Sequence, residues 1–319
     1  MYNDLLILGG GMSGMLAAAT ARCAEVNVGI VEPNGLGASF TGPGYRYLRW
    51  SEPLVRLLGL MGIQHEIVVH KGGLLDDTGT IHAYPESLDM AALDMVQRRH
   101  YNKTRGSMVG YSPGVMNFGG KNKRGIQVNV RDIVRWVEGH VDHYEDSAEH
   151  ISGVVRTSRD VHISYRSLIV TIPLPVLAHI LELDPQEAPV TKARALYAAV
   201  VEVDKDHPML GFDFIYTPWL TAIHRVSKAG PKHLTVEWNA GEYSPNLDQR
   251  LIPDRDAAKL KIDHQGSFTN PQPGHLRPCL WGTWRPPKYT HLIGRFAEWE
   301  PRATAEGAID KTLEVLRGW

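Results

Sequence analysis

Three glycines near the N-terminus lie between a short apolar segment and a run of small and apolar residues. They are Gly9, Gly11 and Gly14, in the spacing G-x-G-x-x-G. Residues 5–8 predict a buried parallel strand, and residues 15–24 predict a helix. In such a strand–turn–helix unit the first glycine permits a tight turn and the second lets a pyrophosphate approach the backbone. The third lets the helix pack closely on the strand.

An acidic residue stands where the second strand of this unit ends. Residues 26–31 predict that strand, and Glu32 follows it, 18 residues after Gly14 (32 − 14). A carboxylate at this place accepts hydrogen bonds from the ribose of an adenosine. Met12 and Ser13 complete the loop, and the N–H groups at the start of the helix would face the phosphates. Together these features favour a dinucleotide site over a glycine-rich turn in an ordinary α/β domain.

Length and composition limit the class of protein. A chain of 319 residues predicts about two domains with ample core. A net charge of −1 gives no general attraction to nucleic acid or to anionic membranes. The two cysteines, Cys23 and Cys279, form no C-x-x-C pair and indicate no disulfide framework. The longest apolar stretch, 168–181, contains two prolines and is too short to span a bilayer, and the N-terminus is already a strand. We therefore expect a soluble, cytoplasmic protein.

Periodicity and turn residues indicate further elements along the chain. Helices are predicted over 51–62, 87–100, 130–144 and 304–317. Strands are predicted over 80–85, 151–156, 161–165, 167–172 and 291–293, and a run of antiparallel strands over 199–203, 212–216, 219–226 and 233–239.

Four pieces of the sequence resemble the flavoprotein superfamily of monoamine oxidases, protoporphyrinogen and phytoene oxidoreductases, and UDP-galactopyranose mutases. The pieces are GGGMSG with Glu32, residues 151–165 leading into SLIVTIPLPVL, the segment FDFIYTPWLTAIHRVS, and HLIGRFAEW. The resemblance implies an α/β fold, with a Rossmann-like FAD-binding domain around a central parallel sheet and an inserted α+β substrate domain that contains an antiparallel sheet. It also implies FAD as the cofactor.

The resemblance suggests how the chain divides between the two domains. The FAD-binding domain would comprise residues 1–50, 125–175 and 288–319, and the substrate domain residues 51–124 and 176–287. The chain is shorter than usual for this family. Its segment GLGASFTGPGYR replaces the double-glycine-arginine segment that usually follows the ribose-binding acid.

Further cofactor contacts are predicted at three places. Gly294 ends a strand, and Arg295 offers a planar fork for two phosphate oxygens, although a surface arginine in a turn is the alternative. Thr171 lies at the end of the strand before Pro173, in a segment that is similar to the Ala/Thr-x-Pro strand of the family. By the same resemblance the backbone around Val155 would hold the adenine, the alternative being ordinary packing of its side chain.

Catalytic candidates are sparse, since no catalytic triad, zinc spacing or P-loop is present. His224 and Arg225 interrupt an apolar, aromatic strand, where a charged pair is expected only beside a cavity. The resemblance lets Arg225 hold an anionic substrate group, as in a sugar-nucleotide mutase, with an inter-strand salt bridge as the alternative. Arg46, flanked by tyrosines, would cover the flavin or face substrate, or belong to a surface cation–π cluster. His140 and His143 lie one helical turn apart, but an exposed helix end explains them better than a metal site does.

Residues 98–124 form a positively charged segment without an acidic residue. Its cations are Arg98, Arg99, Lys103, Arg105, Lys121, Lys123 and Arg124. The segment would steer a phosphorylated substrate or contact a nucleic acid backbone, and the alternative is a solvated loop.

The predicted function is that of an FAD-dependent, amine-oxidase-like oxidoreductase, which transfers hydride from a small or nucleotide-linked substrate to flavin N5. One alternative is a mutase-like enzyme that acts on a sugar nucleotide without net redox change. Others are flavin-dependent modification of an amino group on a nucleotide or on DNA, and a non-catalytic protein that binds flavin or associates with nucleic acid. The oligomeric state is left open.

Overall fold

The structure is a computed structural model, and it describes residues 1–37, 48–83, 90–105, 124–191, 193–242, 254–262, 267–268, 272–276, 283–299 and 303–319. The helices are α1 (Met12–Cys23), α2 (Glu52–Leu60), α3 (Met90–Arg105), α4 (Val130–His140), α5 (Leu174–Ile180), α6 (Asp254–Leu260) and α7 (Gly307–Arg317). The strands are β1 (Tyr2–Leu8), β2 (Val28–Val31), β3 (Leu48–Arg49), β4 (His65–Val69), β5 (Gly72–Leu75), β6 (Ile81–Ala83), β7 (Arg124–Val128), β8 (Asp142–Tyr144), β9 (Ala148–Ile151), β10 (Val154–Thr157), β11 (His162–Val170), β12 (Ala193–Glu202), β13 (Phe214–Tyr216), β14 (Ile223–Lys228), β15 (His233–Glu242), β16 (Ser267–Phe268), β17 (Gln272–Leu276) and β18 (Thr290–Leu292).

A seven-stranded sheet carries the N-terminal unit. Its strand order is β8-β2-β1-β11-β10-β9, and β18 pairs with β11. The strands β8, β2, β1, β11 and β18 are parallel, whereas β10 and β9 are antiparallel. Residues 5–8 of β1 are apolar on both faces of the sheet, and both faces are covered. Leu5 and Ile7 lie in the core with α1, while Leu6 and Leu8 lie in a second core with α5.

The structure corrects three predictions in this sheet. The helix predicted over 130–144 ends at His140, and residues 142–144 form β8 because they complete the parallel edge beside β2. The strand predicted over 151–156 is split between β9 and β10 by a turn in which Gly153 has a φ of +78°. Strand β11 runs without a break, where two strands were predicted, because its two halves pair with β10 and β18.

A second, eight-stranded sheet has the order β16-β12-β15-β14-β13-β5-β6, and β17 pairs with β12. Its pairs are antiparallel except β5 with β13. The strand predicted over 219–226 begins only at Ile223, since residues 217–222 form a turn whose N–H groups bind a carboxylate of α6. The predicted fold class, α/β with a second antiparallel sheet, is confirmed.

A third sheet has the order β3-β7-β4. Within the described part of the chain, no helix is long and apolar enough to cross a membrane. The division of the chain into two domains stays a prediction.

Candidate functional site

The loop between β1 and α1 is folded so tightly that only glycine fits at two of its positions. Gly9 has a φ of +104°, and a Cβ placed on it would lie 2.6 Å from Oγ1 of Thr171. A Cβ on Gly14 would lie 1.9 Å from the carbonyl oxygen of Gly9. The third glycine therefore lets the helix approach the strand, as the sequence predicts.

The first turn of α1 lies at the end of the parallel sheet. Gly11 is the N-cap residue, and among the described residues no side-chain hydrogen bond caps the helix. The N–H groups of a first helical turn lack partners within the helix, and the helix dipole adds positive potential there. Met12 is buried, so it can contribute to a binding site only through its main chain. This end of the helix fits a phosphate group.

The carboxylate of Glu32 lies against the loop. Its Oε2 accepts a hydrogen bond from the N–H of Gly10 at 2.8 Å, and its Oε1 accepts one from the N–H of Asn34 at 2.9 Å. Each carboxylate oxygen accepts more than one hydrogen bond, so acceptor capacity remains for ribose hydroxyl groups.

Thr171 ties the loop to β11. Its hydroxyl group lies 2.9 Å from the carbonyl oxygen of Leu8 and 3.0 Å from that of Gly9, and donates to them. Its N–H also donates to Leu8, at 2.8 Å. The side chain of Thr171 therefore fixes the turn, which a methyl group in place of the hydroxyl would not do.

Gly294 reaches the same edge from the other side. Ile293 N–H donates to the carbonyl of Val170 at 3.0 Å, which places the end of β18 beside the end of β11. Gly294 has a φ of +96°, and a Cβ on it would lie 2.9 Å from Oγ of Ser13. Its N–H donates to Oε1 of Glu298 at 2.7 Å. Arg295, next along the chain, is exposed.

The structure thus gathers most of the predicted cofactor residues at the carboxyl edge of the parallel sheet. They are Gly9, Gly11, Met12, Ser13, Gly14, Glu32, Thr171, Gly294 and Arg295. Val155 is not among them. Val155 is fully buried and lies opposite Ile163 of β11. Ile163 is seven residues before Val170, so Val155 is roughly 23 Å from the carboxyl edge, measured along the strand. Its side chain packs in the core, and contact of its backbone with an adenine stays a prediction. Arg46 lies outside the described residues.

The other predicted catalytic residues lie on the antiparallel sheet, at a β-bulge. Ile223 is opposite Trp238 and Arg225 is opposite Glu237, so that His224 is the additional residue of β14. A bulge turns two successive side chains toward one face. Accordingly, Nε2 of His224 lies 3.9 Å from Oε2 of Glu237, and Nη2 of Arg225 donates to Oε1 at 2.8 Å.

Arg225 and Glu237 form an inter-strand salt bridge in which Arg225 Nε also donates to Oε2 of Glu237. The glutamate side chain is 5% exposed and the arginine 24%. A two-point contact of this kind is geometrically specific. The alternative reading of Arg225 as a salt-bridge partner is therefore the one that the structure shows.

The turn that precedes the bulge is held from two sides. The buried carboxylate of Asp256 accepts hydrogen bonds from the N–H groups of Thr221, Ala222 and Ile223, at 2.8, 2.7 and 3.1 Å. Lys103 of α3 donates to the carbonyl oxygens of Thr217, at 2.6 Å, and of Ile223. Burial lowers the pKa of Lys103 to about 7, with the charge of Arg99 acting in the same direction and that of Asp256 against it.

The described part of the basic segment 98–124 contacts the protein itself. Arg98 pairs with Asp94 at 2.7 Å, and the guanidinium of Arg99 lies 4.2 Å from the ring centroid of Trp219. Lys121 and Lys123 lie outside the described residues. Contact of this segment with phosphate or nucleic acid stays a prediction.

The histidines considered for a metal have other surroundings. Nδ1 of His140 lies 2.7 Å from the carbonyl oxygen of Trp136, and the two rings stack at 4.3 Å. His143 lies apart from it on β8. Among the described residues no three His, Cys, Asp or Glu side chains come together to hold a metal ion.

Sequence reasoning missed Glu237 and Asp256. Strand β15 does carry a signal, since polar Thr235, Glu237 and Asn239 alternate with apolar residues. That pattern normally indicates a solvent-facing side, whereas these three residues are buried. Asp256 has no signal in the sequence, because its three donors lie more than 30 residues away.

No family model matches the sequence, and no curated protein is significantly similar to it. Solved structures share its fold. An oxidoreductase from Methanosarcina mazei has a TM-score of 0.63 at 13% identity, covering 99% of this chain and 100% of that one. A reduced UDP-galactopyranose mutase has a TM-score of 0.63 at 10% identity, covering 98% and 94%. A putrescine oxidase redesigned in cofactor binding has a TM-score of 0.63 at 10% identity, covering 100% of both chains. At these identities the likeness shows the fold alone.

Proposed function

We propose that this protein is an FAD-dependent oxidoreductase. The observation that carries the proposal is the edge of the parallel sheet, where an uncapped helix N-terminus, a loop that only glycine can form, and the carboxylate of Glu32 lie together. This combination suits the pyrophosphate and the ribose of a dinucleotide. The fold is shared with an oxidoreductase and with a putrescine oxidase, and this supports FAD as the dinucleotide.

Different residues of this site would bind different parts of FAD. The N–H groups of Gly11, Met12 and Ser13 would hold the pyrophosphate, and Glu32 the adenosine ribose. Gly294 and Arg295 close the site from β18, where the guanidinium adds a fork for phosphate oxygens. When bound, the flavin supplies an acceptor for hydride. The chain provides orientation and exclusion of water.

The charges on the antiparallel sheet favour oxidation over the mutase-like alternative. That alternative uses Arg225 to hold an anionic substrate group. Here the guanidinium is already bound at two points by Glu237, so its charge is neutralised within the sheet. The sheet therefore suits a substrate without an anionic group next to Arg225.

The visible absorption spectrum of the purified chain tests the proposal. We expect flavin bands, and loss of the oxidised bands when an anaerobic sample is mixed with a substrate from a panel of amines and alcohols. Colourless, folded protein that takes up no added FAD would overturn the proposal. Activity on a sugar nucleotide that needs reduced flavin, without consuming reductant, would replace it with the mutase-like alternative.

A further inference from the structure

A row of polar side chains is buried on one face of the antiparallel sheet. On β15 the row consists of Thr235, Glu237 and Asn239, each less than one tenth exposed. On β14, Ser227 lies opposite Thr235, and Arg225 lies opposite Glu237. The alternate residues of β15 face the apolar core on the other side. The face is therefore buried, yet it is not apolar.

Asn239 stands out within this row. The residue is 8% exposed, and neither Oδ1 nor Nδ2 of its amide has a hydrogen-bond partner among the described residues. Ser227 is 2% exposed, and its hydroxyl oxygen likewise has no hydrogen-bond partner among the described residues. Buried polar atoms without partners are uncommon in native proteins, because water has been lost and nothing replaces it. A ligand that supplies the missing partners would explain why these side chains are polar.

Two buried side chains elsewhere show what a structural role looks like in this protein. Asn3 in β1 is fully buried, and its Nδ2 donates to the hydroxyl oxygen of Tyr144 at 3.0 Å, although its Oδ1 has no hydrogen-bond partner among the described residues. Thr217 is fully buried, and its hydroxyl donates to the carbonyl of Ile223 at 2.7 Å. Both side chains link two segments of the chain, which Asn239 and Ser227 do not do among the described residues.

We propose that the amide of Asn239 binds an uncharged edge of the substrate that offers one hydrogen-bond donor and one acceptor side by side. A carboxamide, a lactam or the edge of a nucleobase has this pattern, which is complementary to an asparagine amide. An ionic group is a poorer match, because Arg225 and Glu237, the two charged residues of this row, are already paired with each other. Identifying this ligand as the substrate rests on the proposed oxidoreductase function.

The row also gives the approximate length of the ligand. Thr235, which lies opposite Ser227, is four residues from Asn239, and this corresponds to roughly 13 Å along the strand. A molecule of two linked rings would span the row and bring a hydroxyl or carbonyl group to Ser227.

Stability measurements test the first part of the proposal without knowledge of the ligand. In Asn239→Leu an unpartnered amide is replaced by an apolar side chain of similar size, so we expect the Tm of the ligand-free chain to rise by about 2 °C or more. The matched control is Asn3→Leu, which breaks a hydrogen bond and should lower Tm. Ser227→Ala and Thr217→Val form a second pair of variants. We expect Tm to decrease in Thr217→Val and not in Ser227→Ala. A fall in Tm for Asn239→Leu as large as that for Asn3→Leu would show a structural role and overturn the proposal.

Binding measurements test the second part. We would titrate the flavin-loaded chain by calorimetry with nicotinamide, uracil and adenosine, and with benzyl alcohol and putrescine as probes that lack the edge. At least one edge-bearing probe should bind, and at least about tenfold more weakly to Asn239→Leu, whose flavin content should be unchanged. Equal affinity for both proteins, or no binding of any edge-bearing probe, would overturn the proposal. If the chain takes up no flavin, the oxidoreductase proposal fails, and titration of the flavin-free chain still decides the role of Asn239.

Discussion

Glu32 and Gly10 are joined by a hydrogen bond from the main-chain N–H of the glycine to the carboxylate, 2.8 Å from N to Oε2. The contact links the end of β2 to the loop that precedes α1 and holds the acid where a ribose would bind. In the proposed FAD site, the residue that would bind the ribose therefore also shapes the loop that would receive the pyrophosphate.

Glu32→Gln should weaken FAD binding by about tenfold or more. The amide keeps the shape of the side chain but replaces one acceptor oxygen with a donor, which then faces an N–H group, and hydrogen bonds to a charged acceptor contribute about 1.5–3 kcal/mol. Fluorescence titration with FAD measures the affinity. Glu66→Gln, at an exposed position of β4, is the matched control. Unchanged affinity in Glu32→Gln would remove this residue from the site.

Gly14→Ala should abolish FAD binding and lower the stability of the chain. The added methyl group would lie 1.9 Å from the carbonyl oxygen of Gly9, so the helix and the loop must move apart. The control is Gly59→Ala in α2, where a Cβ meets no atom within 4 Å. This second variant should be neutral or up to about 1 kcal/mol more stable, because alanine is the better helix residue. Thermal unfolding with and without FAD compares the two, and retention of flavin by Gly14→Ala would contradict the predicted loop.

Lys103 should make stability depend on pH above neutrality. Its pKa falls from 10.5 to about 7 on folding. Between these values the unfolded chain binds the proton and the folded chain does not, so stability rises with pH over this window by up to a few kcal/mol. Below about pH 7 the cost of burying the charge is fully present.

Urea unfolding between pH 6.5 and 10 measures this effect in the wild type and in Lys103→Met. The rise should flatten in Lys103→Met and persist in Lys232→Met, which alters an exposed lysine. A rise that is equally steep in all three proteins would assign the titration to other groups.

The losses of stability on removing Arg225 and on removing Glu237 should not add, because each leaves the other charge without its partner. Arg225→Met leaves the carboxylate of Glu237 buried without its partner and should cost about 3–5 kcal/mol. The double variant Arg225→Met/Glu237→Leu should lose at least about 1 kcal/mol less stability than the sum of the losses in the two single variants. This difference is about the coupling free energy expected between groups in contact. The exposed pair Arg135–Asp132, 3.6 Å apart, should show a coupling below about 1 kcal/mol. Strict additivity at Arg225 and Glu237 would contradict the salt bridge.

The parts of the site that the sequence predicts depend on local geometry. Gly9 and Gly14 are recognisable because the turn demands a positive φ and a close approach within five residues. Residues 142–144 were predicted as helix, since nothing local reveals that they add a strand beside β2. The contact of Arg225 with Glu237 depends on strand register and on a bulge, which arise only when the sheet assembles. The polar face was missed for the same reason.

The bulge in β14 also bears on how this sheet tolerates changes in chain length. Each cross-strand pair from Ile223 to Lys228 forms with His224 left out of the register. A chain shortened by that one residue would keep all of these pairs, including Arg225 with Glu237. On the opposite side of β14, the carbonyl oxygen of His224 accepts a hydrogen bond from the N–H of Thr217 at 3.2 Å, so the shortened strand would lose that link to the turn together with the imidazole beside Glu237.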